Sequence, residues 1–322
     1  MSQKSRTEIR KAMSVLRDIY VVTPWDQELH DQLDRLMDYG EDGDAVTRPV
    51  EFSRTKDSHG IAVVAAPGAG KTSLVDHVLR HHPSLVHVPE GQRLVVAARV
   101  PSPATLKSLA FEILQQSGYG MAGGNDLQWR LWNLVRHRLK ELGTVLLWID
   151  EAQDMFGQGK KGEAQEILNT LKGLMQGDWP VVVVLSGTDE LWAKACVDEQ
   201  FARRMTKVEL PLLSNAANGR SLSKQIATYC ASIDLAPPDD RELVQRLIHA
   251  SRARFGLCIE NCLQAIEIAL EEGATQLDRD HFAIAWGAQR GCDRANNVFV
   301  ADRWSEIDVS RPCEPMSSYI QN

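Results

Sequence analysis

Residues 65–72, Ala65-Ala-Pro-Gly-Ala-Gly-Lys-Thr72, put two glycines, a lysine and a hydroxyl between an apolar stretch and a helical one. Small residues let successive backbone N–H groups curl round a polyphosphate, and a helix start favours an anion through its unpaired donors and dipole. The expected cradle comprises Ala66, Pro67, Gly68, Ala69, Gly70, Lys71, Thr72 and Ser73. In it Lys71 reaches the β- and γ-phosphates as a point charge, and the Thr72 hydroxyl ligates Mg²⁺. Such turns usually open with glycine; here the position is Ala65, while Gly68 and Gly70 hold the crowded places next to the phosphates.

A second group complements the first. Val145-Leu-Leu-Trp-Ile-Asp150-Glu151 reads as a buried strand ending in two carboxylates. At the carboxyl edge of a sheet, Asp150 would hold Mg²⁺ through its water shell and Glu151 would orient and deprotonate an attacking water. Strand 181–185 runs into Ser186-Gly-Thr188, which can set a hydroxyl against the γ-phosphate or the lytic water; Thr188 is the first choice and Ser186 the alternative. Arg203-Arg204 is either a solvated helix end or an arginine finger that completes a neighbouring subunit's site.

The surrounding pattern supplies elements to position these groups. Short apolar runs at 61–65, 94–100, 145–149, 181–185 and 207–210 alternate with helical segments. Their uniformly apolar composition suits strands covered on both faces, so the fold class is α/β with a central parallel five-stranded sheet. Before it, Ile9, Met13, Leu16 and Tyr20 share one helical face and Leu29, Leu33 and Leu36 another, with a break at Thr23-Pro24; 39–44 reads as a loop. After Pro211 the pattern is helical to about 290, with Leu243, Leu247, Ile266 and Leu270 as core, and periodicity is lost from 291. The expected division is an N-terminal helical extension at 1–52, a nucleotide-binding core at 53–212, a helical lid at 213–290 and an irregular tail at 291–322.

With 322 residues, 43% hydrophobic and 25% charged, the composition is that of a globular chain and excludes a mostly disordered one. No apolar run approaches the roughly 20 residues that span a bilayer, and the first 20 residues lack a signal-peptide core, so a cytoplasmic chain without membrane association is expected. A net charge of −7 does not advertise nucleic-acid binding, although a local basic stripe can act within an acidic protein. Cys196, Cys230, Cys258, Cys262, Cys292 and Cys313 form no CxxC pair and read as reduced core thiols. His81-His82 reads as a helix end before Pro83 rather than a ligand pair, and Trp129 and Trp132 as core.

Taken in order, these elements resemble the AAA+ P-loop ATPases, with Walker A at 65–72, Walker B at 145–151, a sensor-1 region at 181–188 and a lid after 213. Within that superfamily the chain is similar to the TniB/TnsC family of transposon target-selection ATPases, related more distantly to MuB and IstB. The resemblance rests on Tyr20-Val-Val-Thr-Pro24, Ser102-Pro-Ala-Thr, Ile149-Asp-Glu-Ala-Gln153, Leu185-Ser-Gly-Thr188, Asp198-Glu-Gln-Phe-Ala-Arg-Arg204 and Asn296-Asn-Val-Phe299. It implies that Arg204 is the finger, by match to the family's Asp-Pro-Gln-Leu-x-x-Arg pattern. A sensor-2 arginine is missing: Ile259 or Glu260 falls at its place, unless Arg252 or Arg254 substitutes.

The same resemblance implies slow, regulatory hydrolysis of ATP with Mg²⁺ and assembly of the chain with itself, as a ring or filament, on duplex DNA. It also implies a transposase and a target-recognition protein of the TniQ type as partners. Lys107 is the candidate DNA contact, with Lys4, Arg6, Arg10 and Lys11 as a basic N-terminal set. Trp304, Ile307 and Tyr319 in the tail are candidates for docking a transposase. Two other classes share the ATP residues: a helicase loader or origin-recognition-like ATPase, and a signalling or secretion ATPase that does not bind DNA.

Overall fold

Reciprocal caps fix the N-terminal helices. The Ser5 hydroxyl accepts from the Glu8 amide at 3.3 Å and the Glu8 carboxylate accepts from the Ser5 amide at 2.7 Å, which starts α1 (Arg6–Asp18). Asp26 accepts from the Thr23 amide at 2.7 Å ahead of α2 (Pro24–Asp34), where Pro24 takes the first turn. The computed structural model describes residues 5–39, 45–52, 54, 56–120, 127–156 and 163–311. A short antiparallel pair follows, β1 (Met37–Tyr39) and β2 (Ala45–Pro49), which sequence periodicity did not reveal. The loop expected at 39–44 lies, from 40 onward, outside the described residues.

The α/β alternation then begins. It runs through β3 (Gly60–Val64), α3 (Lys71–His81), α4 (Pro83–Val86), β4 (Val95–Arg99), α5 (Leu106–Gln116), α6 (Gln128–Glu141), β5 (Leu146–Asp150), α7 (Glu163–Leu174) and β6 (Val182–Gly187). It closes with α8 (Asp189–Ala195), α9 (Glu199–Ala202) and β7 (Met205–Glu209). The expected strands are all present, with ends displaced by one or two residues, and pair in the order β4-β5-β6-β3-β7, every pairing parallel. Every residue of β3, β5 and β6 is buried, which is why their sequences show no polar alternation. Ala62 and Val64, Leu147 and Ile149, Val183 and Leu185 share a core with α5, α6 and α7, while α3 lies against β3 and β6 and α2 against β7.

Four α-helices follow among the described residues: α10 (Asn215–Ala231), α11 (Leu243–Ala250), α12 (Phe255–Glu272) and α13 (Arg279–Arg290). The residues fall into two compact units, Met1–Val22 with Gly68–Gly70 and Pro211–Asn322, and Thr23–Pro67 with Lys71–Leu210. In the first, Ile9, Met13 and Leu16 of α1 are buried where it packs on α12, and Leu243, Leu247, Ile266 and Leu270 are all buried. The described tail is not a loose end. Val298 and Phe299 are buried, Phe299 lies 5.4 Å from the Phe282 ring, and Arg246 donates to the carbonyls of Val298 at 2.8 Å and Ala301 at 2.9 Å. Its turns follow no helical or strand period, so no pattern in the sequence marks the packing; Tyr319 and Cys313 lie outside the described residues.

Two further expectations are corrected. Trp132 is buried, but Trp129 is 59% exposed, because it falls on the opposite side of α6 from Leu131, Val135 and Leu139. Cys230, Cys258 and Cys262 are core thiols as expected, whereas Cys196 is exposed and Cys292 half-buried.

Asp198 caps α9 by accepting from the Phe201 amide at 2.9 Å, and its other oxygen meets Lys172 Nζ of α7 at 2.7 Å. The hydrogen bond from Lys172 is the main cause holding the Asp198 carboxyl at about 2. That is below the value of about 3.9 in an unfolded chain, so its stabilisation is complete above pH 4 and disappears as the pH falls toward 2. Urea unfolding at pH 7 and pH 3 should therefore show Lys172→Met losing on the order of 1 kcal/mol relative to wild type at pH 7, with the gap narrowing at pH 3.

Candidate nucleotide site

Between β3 and α3 the chain turns through Gly68 at φ +79° and Gly70 at φ +97°, a region that side chains disfavour. Lys71 opens α3, buried, and its Nζ donates to the carbonyls of Ala65 at 2.9 Å and Ala66 at 3.3 Å. The ammonium therefore sits inside the curl of the turn. One residue on, Thr72 Oγ1 donates to Asp150 Oδ2 at 3.0 Å. The other carboxylate oxygen accepts from Ser186 Oγ at 2.6 Å, and Ser186 in turn accepts from Trp148 Nε1 at 2.8 Å.

Strand order explains this convergence. The strands β3 and β5 do not touch; β6 runs between them, with Val63 opposite Ser186 and Ile149 opposite Leu185. Ser186 at the end of β6 thus reaches Asp150 from one side, and Thr72 at the start of α3 reaches it from the other. A hydroxyl and a carboxylate oxygen 3.0 Å apart at a helix start form the hard-oxygen pair that Mg²⁺ prefers, and the positive-φ glycines let the backbone curl tightly ahead of Lys71. The residues present fit a magnesium–nucleotide complex.

Glu151 follows Asp150 with φ +53°, a left-handed conformation that costs a non-glycine residue roughly 1 kcal/mol. Its Oε2 accepts from Gln153 Nε2 at 2.7 Å, and its Oε1 lies 3.7 Å from Arg99 Nη2 at the end of β4. Gln153 Oε1 accepts from the Thr188 amide at 3.1 Å, which ties Glu151 to the end of β6. Thr188 therefore contributes its backbone, and the hydroxyl set against Asp150 is that of Ser186. The end of β6 decides this: Ser186 is fully buried on the strand, whereas Thr188 has left the strand to precede α8.

The two arginines differ sharply. Arg204 is buried, with Nη2 3.0 Å from Asp57 Oδ2 and Nη1 donating to the Gln200 carbonyl, so in this conformation it is not presented to another molecule. Arg203, next to it at the end of α9, is exposed. Lys107 is half-buried in the first turn of α5, its Nζ 5.8 Å from the Phe111 ring centroid. Arg6, Arg10 and Lys11 lie exposed along α1, and Lys4 lies outside the described residues. In the first unit, Arg252 Nε donates to the Val309 carbonyl at 2.8 Å and is turned to the tail, whereas Arg254 precedes α12. The first turn of α12 meets the glycine turn: the Leu257 amide donates to the Gly68 carbonyl at 3.0 Å, and a Cβ at Gly256 would come within 2.6 Å of that oxygen.

A family model described as "Bacterial TniB protein" matches residues 28–215, more than half of the chain. The chain belongs to the TniB family. Its fold is that of the AAA+ P-loop ATPases. It is similar to the ORC1 protein of Aeropyrum pernix solved in complex with DNA, at 15% identity and TM-score 0.58 over 88% of this chain and 70% of that one. It is also similar to the ADP form of the ORC2 protein of the same organism, at 13% identity and TM-score 0.56 over 89% of this chain and 75% of that one. At these identities the likeness is one of fold. No functionally curated protein matches the chain, and among its described residues no helix is long and apolar enough to cross a membrane.

In this TniB-family chain the candidate nucleotide site also draws on residues to which sequence reasoning gave no role. Trp148 and Gln153 lie inside motifs already recognised, but only the fold shows the indole holding Ser186 and the amide bridging Glu151 to Thr188. Asp57 and Arg99 carried no local signal. Because Ser186 orients the carboxylate that faces Thr72, Ser186→Ala should raise the Mg²⁺ concentration for half-maximal ATP turnover by about tenfold, read from a magnesium titration of phosphate release.

Proposed function

We propose that this chain is an ATP-dependent regulator of transposition that assembles with itself as a ring or filament on duplex DNA. In that state it selects the target and recruits the transposase, working with a target-recognition protein of the TniQ type, and hydrolysis of ATP disassembles it. Membership of the TniB family is the observation that carries this reading. The meeting of Thr72, Asp150 and Ser186 beside the Lys71 turn supports its nucleotide half. The ORC1 protein was solved in complex with DNA, and this chain, in the cytoplasm, binds DNA likewise.

Bound ATP with Mg²⁺ supplies the anhydride bond to be broken and the charge that balances it. Lys71 exchanges the carbonyls of Ala65 and Ala66 for the β- and γ-phosphates. Thr72 and Asp150 are the residues that would hold Mg²⁺, with Ser186 fixing the carboxylate. Once Gln153 lets go, Glu151 accepts the proton of the attacking water at its carboxylate. Arg203 rather than Arg204 is the finger, since the exposed guanidinium can reach the γ-phosphate of a neighbouring protomer and the buried one is engaged by Asp57. Contacts that exist only in the assembled, ATP-bound state make assembly depend on the nucleotide. On DNA, Lys107 repeated along an assembly offsets the acidity of the single chain, because many weak phosphate contacts act together. Arg252 or Arg254 would serve where sensor 2 is missing.

Negative-stain microscopy with ATP, Mg²⁺ and duplex DNA tests the scheme: wild type forms assemblies that decay, and Glu151→Gln forms assemblies that persist. A chain that stays monomeric under these conditions overturns it. The arginine assignment has its own readout. Arg203→Ala should lower DNA-stimulated hydrolysis by about 10³-fold with an unchanged melting temperature. Arg204→Ala should instead destabilise the fold by about 3 kcal/mol, because it removes the buried guanidinium of the Arg204–Asp57 pair.

A further inference from the structure

We propose that His30, Asp34 and His82 form a divalent-metal site for an ion of the zinc type, separate from the nucleotide site. One nitrogen of each histidine and a carboxylate oxygen of Asp34 lie within 4.8 Å of one another. His30 and Asp34 stand one turn apart on α2, and His82 directly follows α3. His30 Nδ1 and His82 Nε2 are each 3.2 Å from an Asp34 oxygen. Both nitrogens are shut off from solvent, and neither is aligned for a hydrogen bond. His82 has no exposed surface at all.

Two solvent-shielded imidazole nitrogens that meet Asp34 only at 3.2 Å and out of alignment gain little from it as hydrogen-bond partners. A cation among the three changes this, because each nitrogen then offers a lone pair and the carboxylate supplies charge. Two imidazoles and one carboxylate are a zinc donor set with a fourth position left for water. They suit Mg²⁺ poorly, since it takes hard oxygen donors. Tyr39 donates its hydroxyl hydrogen bond to Asp34 Oδ1 and fixes the carboxylate from outside, as an outer partner of a metal ligand does. One contact opposes binding: His82 Nδ1 accepts from the Ser84 amide at 3.3 Å, and a metal on Nε2 moves the ring proton to Nδ1 and gives up that long contact.

Such an ion would tie α2 to the far end of the helix that begins with Lys71, about 15 Å along the axis from Thr72. The ring paired with His82 is therefore His30, at a centroid distance of 4.4 Å, and not the adjacent, exposed His81.

The test uses the full chain, stripped with EDTA, then given zinc chloride and dialysed without nucleotide. Elemental analysis should find one zinc per chain, and the melting temperature should rise by about 5 °C over the stripped protein. His30→Gln and Asp34→Asn, both at half-buried positions, should melt like stripped wild type and bind zinc at least tenfold more weakly. Substitution with Co²⁺ should give visible absorption bands of a nitrogen–oxygen environment without a thiolate charge-transfer band, which separates this site from the cysteines. Absence of retained zinc in wild type overturns the proposal. So does equal retention in both variants, or a thiolate band.

Discussion

The fold is organised around a buried carboxylate that has to be satisfied from both sides. Asp150 is 7% exposed, and it stands at the end of an apolar strand where an unpaired charge is costly. Thr72 answers one oxygen and Ser186 the other, with the Trp148 indole behind Ser186. Meeting that demand requires β6 to run between β3 and β5, and α3 to start within reach of both. The sheet order, the sharp glycine turn and the place of Lys71 inside it are consequences of the same geometry.

The opposite choice is made one residue later. Glu151 sits in a left-handed conformation, half-exposed, and is held by Gln153 and Arg99 rather than enclosed. A carboxylate fixed by flexible side chains can change partners, whereas Asp150, locked by two hydroxyls, cannot without losing the strand's end. The division suits a group that holds a cation and a group that moves a proton.

Much of this was legible in the sequence. The glycine turn, the strand ending in Asp150-Glu151 and the uniformly apolar runs announce themselves because their residue types are dictated locally. The rest depends on directions that no local pattern carries. Ser186 and Thr188 are separated by the end of a strand, which sets one inward and releases the other. Arg203 and Arg204 are chemically alike, and what divides them is Asp57, far away in the chain. The short pair β1 and β2 has too few residues to show alternation, and the packed tail up to 311 has no period to detect. An aromatic residue such as Trp129 suggests core by type alone, yet Leu131, Trp132, Val135 and Leu139 fill the buried face of α6. His82 looked like the last word of a helix, and only the return of α2 brings His30 and Asp34 beside it.

One further property follows from β6. Val182–Leu185 is apolar on both faces, so burial alone would accept the strand slid by a single step along its neighbours. Such a slip would bring Leu185 or Gly187 to the place of Ser186, leaving the Trp148 indole and one side of Asp150 without a partner. The hydroxyl thus works as an alignment mark for an otherwise featureless strand: the register of β6 and the pairing of Asp150 depend on the same atom.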